Sequence, residues 1–179
     1  MMKQQFVLLS VISMLALTNV MAQKSRSFNS SSYTTAVGIK LFPAPNGGAG
    51  AVTFKHFFNQ GAAVEALGYF WERGGRLTGL YEFHWDIEGA KGLKWFVGPG
   101  VHVAFYNDKD YRYHDDDRLY RGSYSYTTAG IDGIIGLDYK FNKIPLNLSV
   151  DWQPYFEFGS DRYNGFGGQF AGVAARYTF

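Results

Sequence analysis

Between Arg76 and Ile87 the chain reads RLTGLYEFHWDI, and apolar and polar side chains alternate along it. Leu77, Gly79, Tyr81, Phe83, Trp85 and Ile87 share one face, while Arg76, Thr78, Leu80, Glu82, His84 and Asp86 share the other. A period of two over this length predicts a β-strand with one apolar and one polar face. LNLSVDWQPYFEF repeats the pattern: Leu146, Leu148, Val150, Trp152, Pro154, Phe156 and Phe158 oppose Asn147, Ser149, Asp151, Gln153, Tyr155 and Glu157. Weaker copies predict eight strands in all, at about 33–42, 49–58, 62–72, 76–87, 93–106, 125–141, 146–158 and 167–179. No segment shows a capped helical period, so the simplest arrangement is an all-β, eight-stranded antiparallel up-and-down barrel.

The connections alternate in kind. Asn59-Gln60-Gly61, Glu88 to Gly92 and Asn142 to Pro145 are tight. On the other side stand PAPNGG at 43–48, RGGR at 73–76, a long polar stretch at 107–124 and GSDRYNGF at 159–166. Short turns on one side and longer polar loops on the other fit a membrane-spanning barrel. Glycines at 38, 68, 79, 98, 100, 133, 136 and 172 fall inside strands, where they permit tight curvature. Pro99 and Pro154 cannot donate ladder hydrogen bonds, so bulges or kinks are expected at both.

The environment follows from which face points inward. A membrane barrel turns its apolar face to lipid and its polar face to the lumen, and a soluble barrel does the reverse. The expected interior polar network is Lys40, Lys55, Glu65, Arg76, Glu82, His84, Asp86, Lys94, His102, Asp132, Asp138, Lys140, Asp151, Glu157 and Arg176. Setting the two histidines aside, it holds seven acids and six bases, the near-balance that a mutually paired interior requires. A soluble surface could carry the same balance, so aromatic positions add weight. Phe42, Tyr81, Phe83, Trp85, Trp95, Phe105, Tyr139, Phe141, Trp152, Phe156, Phe158, Tyr177 and Phe179 are expected outward, largely towards strand ends, as interfacial belts require.

Composition narrows the field further. Of 179 residues, 18% are aromatic and 22 are glycine without a collagen period, which argues against disorder. The absence of cysteine excludes a disulfide scaffold, a thiolate metal site, a cysteine nucleophile and a lipidated cysteine. A net charge of +2 is too small to point to nucleic acid or another polyanion. Lys3, the apolar run Phe6 to Leu17 and the small residues ending at Ala22 are expected to form a cleavable secretory signal peptide, residues 1–22, the alternative being a retained N-terminal anchor helix. Its removal takes away one positive charge, Lys3, and leaves a single expected domain at 23–179 with a charge of +1.

With these features, and a chain ending Ala175-Arg176-Tyr177-Thr178-Phe179, the sequence resembles the small outer-membrane β-barrel proteins of the OmpA/OmpX type. The stretch GLDYKFNKIPLNLSVDWQPYFEF at 136–158 is similar to the penultimate hairpin of such barrels. The resemblance implies a bacterial outer-membrane location with both termini in the periplasm. It also implies that Val173, Tyr177 and Phe179 form the signal read by the outer-membrane assembly machinery, with membrane lipids as the surrounding partner. No appended peptidoglycan-binding domain is expected after Phe179, which matches the OmpX type.

The chain contains no P-loop, nucleophile elbow, His-Glu-x-x-His or EF-hand loop. His114 with Ser123 or Ser125 and Asp115 to Asp117 is the set a lipid-modifying enzyme would use, but nothing in the spacing fixes base against nucleophile. The same acids could offer oxygens to calcium, against competition from Arg112, Arg118 and Arg121. No cofactor is expected. The long stretch is instead read as a candidate contact surface for an extracellular protein or surface ligand, through Tyr111, Arg112, Tyr113, His114, Arg118, Tyr120, Arg121 and Tyr124. An alternative is a strand extension whose tyrosines sit in the headgroup layer. The expected function is therefore a non-enzymatic envelope or surface-interaction role. Its rivals are a small pore, a lipid-modifying enzyme and a soluble lipocalin-like barrel.

Overall fold

The structure, a computed structural model, describes residues 33–42, 49–59, 61–71, 74–115, 118–159, 164–168 and 171–179. The expected signal peptide and the 43–48 connection lie outside the described residues. The strands are β1 (Thr35–Phe42), β2 (Ala49–Asn59), β3 (Ala62–Trp71), β4 (Gly74–Asp86), β5 (Leu93–Asp115), β6 (Arg118–Lys140), β7 (Leu146–Trp152), β8 (Tyr155–Phe158), β9 (Gly165–Gly167) and β10 (Ala171–Thr178).

From β1 to β6 each strand pairs antiparallel with its sequence neighbour. β7 and β8 both lie along β6; β10 pairs with β7 and β9 with β8. β1 then pairs with β10, from Ala36↔Thr178 to Leu41↔Val173, and closes the cylinder. β7 with β8, and β10 with β9, are each the two halves of one stave, so the ten strands make eight staves. Backbone bonds from Thr34 N to Phe179 O (3.3 Å) and from Phe179 N to Thr35 O (2.8 Å) seal the seam at the terminal end.

The prolines behave differently from each other. Pro154 splits its stave, yet Ile135↔Trp152 and Asp132↔Tyr155 keep one register, and Gly133 N still donates to Pro154 O at 2.8 Å. On the other flank the register shifts by one between Trp152↔Ala171 and Tyr155↔Gly167, so a bulge accompanies Pro154 as expected. The bulge or kink expected at Pro99 is instead a gap in the β4 ladder without any register shift, from Leu80↔Gly100 to Phe83↔Val97. Pro99 stays paired opposite Gly133 of β6. A missing N–H costs a bond here but does not displace the chain.

Burial decides the polarity. Along β4 the polar-face residues Arg76, Thr78, Leu80, Glu82 and His84 are buried, while Leu77 and Tyr81 on the other face are exposed. Val101 is 63% and Ile39 57% exposed, against 0% for Lys40 and Lys55. Charges inside and aliphatic side chains outside are the reverse of a soluble barrel, so the lipocalin-like alternative does not fit. The 107–124 stretch, expected as a loop, is a correction: β5 and β6 run through it as paired strands, as the strand-extension alternative required.

Two glycines test the packing of the wall. A Cβ at Gly98 would collide with the Tyr81 carbonyl on the neighbouring strand, whereas at exposed Gly79 it would meet nothing within 4 Å. Gly98→Ala is therefore expected to cost at least ~2 kcal/mol and Gly79→Ala under ~0.5 kcal/mol, read from urea unfolding of the lipid-reconstituted protein. Equal effects would contradict the close β4–β5 approach.

Candidate functional site

The alternation that sends apolar side chains outward packs the lumen in layers. Nearest the termini, Tyr33, Ala36, Phe57 and Ala63 form an apolar layer, with the Tyr33 ring edge-on to Phe57 at 5.1 Å. Above it lies the first polar network. Lys55 Nζ sits 2.8 Å from Glu82 and 3.5 Å from both Glu65 and Asp138, and 4.6 Å over the Phe96 ring. Arg176 pairs with Glu65 and donates to Thr53 Oγ1 (3.0 Å), Asn147 Oδ1 (3.1 Å) and Ser149 Oγ (2.8 Å). Asn147 donates to Asp138 at 2.6 Å, and His84 Nε2 meets Glu82 at 2.8 Å while its ring stacks on Phe96.

Next comes a second apolar layer of Phe42, Ala51, Leu67, Tyr69, Leu80, Phe96 and Ile134. Lys40 and Asp151 pair beside it at 2.7 Å, with neither side chain exposed. The second polar network lies beyond. Arg76 pairs with Asp132, and His102 Nδ1 lies 2.7 Å from the other oxygen of that carboxylate. Gln153 donates to Asp132 at 3.0 Å and accepts from the Tyr69 hydroxyl at 2.8 Å. The Arg76 guanidinium lies 4.5 Å over the Tyr155 ring. Glu157 accepts from Thr128 and, at 3.0 Å, from the Tyr106 hydroxyl.

Of the fifteen residues expected in the interior, these contacts bring together Lys40, Lys55, Glu65, Arg76, Glu82, His84, His102, Asp132, Asp138, Asp151, Glu157 and Arg176. Lys94 is buried but pairs at the rim with exposed Asp86, at 3.1 Å. Lys140 lies partly exposed and donates to the carbonyls of Phe141 and Ile144 at the adjoining turn. Asp86 and Lys140 thus stand outside the network, because their strands end at that level. Phe42 is a further correction: it is buried, since two residues from Lys40 is the same face. The network also takes in the uncharged Tyr33, Thr53 and Tyr69, which the sequence reading did not name, and Asn147, Ser149 and Gln153, which it had placed on the polar face of their strand. Thr53 shares parity with Lys55 and Tyr69 with Glu65, which was the available signal; Tyr33 precedes β1 and has the opposite parity to Lys40.

Outside, Trp85 and Trp95 stack at 4.3 Å, and Tyr139–Phe141 and Tyr177–Phe179 make ring contacts at 4.7 and 5.0 Å, all at the terminal end. Val173, Tyr177 and Phe179 all face outward and are exposed. At the opposite end β5 and β6 continue past their last flanking partners, Gly74↔Tyr106 and Phe158↔Ala129. The nine residues Asn107 to Asp115 form one arm of a two-stranded ribbon about 30 Å long. Its register slips by one between Asp108↔Tyr124 and Tyr111↔Gly122, a bulge at Lys109-Asp110.

That bulge has a consequence for the tyrosines. Residues directly opposite share a face. Tyr106↔Tyr126, Asp108↔Tyr124, Tyr111↔Gly122 and Tyr113↔Tyr120 therefore put all six tyrosine positions of the stretch in one parity of the ribbon backbone. Arg112↔Arg121 and His114↔Leu119 fall in the other parity, and Asp115 stands opposite Arg118. Along the ribbon backbone His114 stands about four residue steps, ~13 Å, from Ser123 and about six, ~20 Å, from Ser125. Asp116 and Asp117, on which the calcium alternative depends, lie outside the described residues.

A closed eight-stave antiparallel barrel with an apolar wall and a charged, filled lumen is a transmembrane barrel of the outer-membrane type. The fold implied by the OmpA/OmpX resemblance is the fold observed. A solved structure similar to this chain is the N-terminal β-barrel domain of Pseudomonas aeruginosa OprF, at 16% identity and TM-score 0.48, covering 83% of this chain and 100% of that one. No family model and no curated protein matches the chain.

The Arg176–Glu65 pair gives a direct test of the lumen. Arg176→Met is expected to destabilise the barrel by ~3–5 kcal/mol, because Glu65 is left buried without its guanidinium. Adding Glu65→Leu should recover most of that loss in a urea-unfolding double-mutant cycle. Additive losses would mean the two side chains are not coupled.

Proposed function

We propose that this chain is a non-conducting, non-enzymatic outer-membrane protein that anchors a rigid ribbon for contact outside the cell. The signal peptide at residues 1–22 would direct export, and Val173, Tyr177 and Phe179 would serve recognition by the assembly machinery. The observation that carries the reading is the alternation of apolar and polar layers across the lumen. Phe42, Leu67, Tyr69, Leu80, Phe96 and Ile134 lie across the water path between two charge networks, and ions passing there would lose hydration without replacement. The ribbon is the part left free to meet a partner.

Height supports the contact role. Headgroups add roughly 5–7 Å to each side of the hydrocarbon. The last outward apolar residues at the outer end are Phe105 and Phe158, with exposed Asn107 and Ser125 just beyond. Tyr111, Tyr113 and Tyr120 lie five or more residues further along tilted strands, on the order of 10–15 Å above that boundary. Backbone positions at that height stand clear of the headgroup layer, and Tyr and Arg are the residue types that concentrate binding energy at protein contacts.

The mature chain, residues 23–179, refolded into a planar bilayer is expected to show no stable conductance steps; salt-dependent steps would favour the pore instead. Phe179→Ser is expected to lower the yield of folded, heat-modifiable protein in cell envelopes several-fold. It should leave refolding in detergent unchanged. Loss in both settings would make Phe179 a stability residue rather than an assembly signal.

A further inference from the structure

The bulge that gathers the tyrosines also makes the two edges of the ribbon unequal. Beyond Tyr106 the β5 edge, and beyond Ala129 the β6 edge, has no strand partner among the described residues. The β5 edge is broken at Lys109-Asp110, and a bulge of this kind blunts an edge against further pairing. The β6 edge stays in step with its own lower half from Ala129 up to Arg118. Its parity is set lower down, where Lys140 N donates to Gly92 O on the β5 side and Gly133 N donates to Pro154 O on the β8 side. Odd-numbered β6 residues therefore turn both N–H and C=O away from β5. Among the described residues, no strand meets the backbone donors and acceptors of Leu119, Arg121, Ser123, Ser125 and Thr127 on that side.

Charge separates the edges as well. Residues 118–131 contain Arg118 and Arg121 and no acid, a net charge of +2, whereas 107–115 set Asp108, Asp110 and Asp115 against Lys109 and Arg112, a net charge of −1. We propose that the β6 edge, residues 119–127, docks an extended acidic segment of a partner protein, which adds to the ribbon as a third strand. The inference rests on reading the ribbon as the contact surface. Main-chain bonds to the odd positions supply affinity, and the tyrosine positions alongside select among alternate side chains. A second copy of this chain is a poorer occupant. Two copies in one membrane stand the same way up, so β6 against β6 would pair parallel and bring arginines together. A second copy's β5 would meet β6 with its bulge.

The test uses the chain refolded in lipid nanodiscs, with a ten-residue peptide alternating glutamate and valine as probe and a lysine–valine peptide as control. Amide hydrogen exchange at 119, 121, 123, 125 and 127 is expected to be fast in the free protein. The glutamate peptide should slow it at least tenfold and the lysine peptide should not. Ser123→Pro removes one free-edge N–H without breaking a β5–β6 bond, and should abolish binding while Ser123→Ala keeps it. Failure of the glutamate peptide to protect these amides would overturn the proposal. So would equal binding by the proline variant, or protection already present without peptide; if dilution removed that protection, a second copy would be the occupant. Deleting 109–122 separates the two levels of the reading. Peptide binding that survives the deletion would refute the ribbon as the contact surface, and binding lost on deletion but kept in Ser123→Pro would refute strand addition alone.

Discussion

Within hydrocarbon there is no water to satisfy an unpaired peptide group, and this constraint organises the whole molecule. It requires the first and last strands to meet, which β1 and β10 do from Ala36↔Thr178 upward. It also explains what happens where the ladder fails. Pro154 cannot donate, yet its carbonyl keeps Gly133 N, and the register slip beside it frees Gly168 O, which accepts from Trp152 Nε1 at 2.6 Å. An indole on the lipid-facing side thus gives a donor to a carbonyl on the flank away from Gly133.

Closure forces the second consequence, the inversion of polarity. Eight staves leave a lumen just wide enough for side chains. Every charge on the inner face must therefore find its partner inside. Among the described residues five bases and six acids are buried, and geometry rather than net charge makes them tolerable: one lysine touches three carboxylates, and one arginine reaches Glu65, Thr53, Asn147 and Ser149. Such pairs are costly to break singly, because the desolvated partner remains. The apolar layers hold the two networks apart, so the barrel behaves as a filled post rather than a tube.

Much of this was legible in the sequence because a strand's side-chain period is two and lipid punishes mistakes in it. Arg76 to Asp86 could be divided into faces by eye, and eight strand positions followed. Parity carried further than charge alone. Leu67 shares a face with Glu65, Leu80 with Thr78, Ile134 with Asp132 and Phe42 with Lys40, so the apolar layers were present in the pattern but masked by the rule that apolar residues face lipid. Strand ends were less legible, since Asp86 and Lys140 obey the period and yet emerge at the rim where the staves stop. The ribbon was hidden for another reason: a bulge at Lys109-Asp110 shifts parity by one, so Tyr111 and Tyr113 appear to oppose Tyr106 until the pairing is known.

The lumen and the ribbon are two outcomes of one pairing of β5 with β6. Where the wall needs neighbours on both sides the strands carry alternating apolar residues, and above it they carry tyrosine and charge. The central claim is that the charged face points inward within a bilayer. It is tested most directly by single-cysteine substitution at each position from Leu77 to Glu82, in a chain that has no cysteine of its own. A fluorophore at each site, read with lipids brominated along the acyl chain, should be quenched at 77, 79 and 81 and protected at 78, 80 and 82. Quenching at the even positions instead, or at none, would contradict the account.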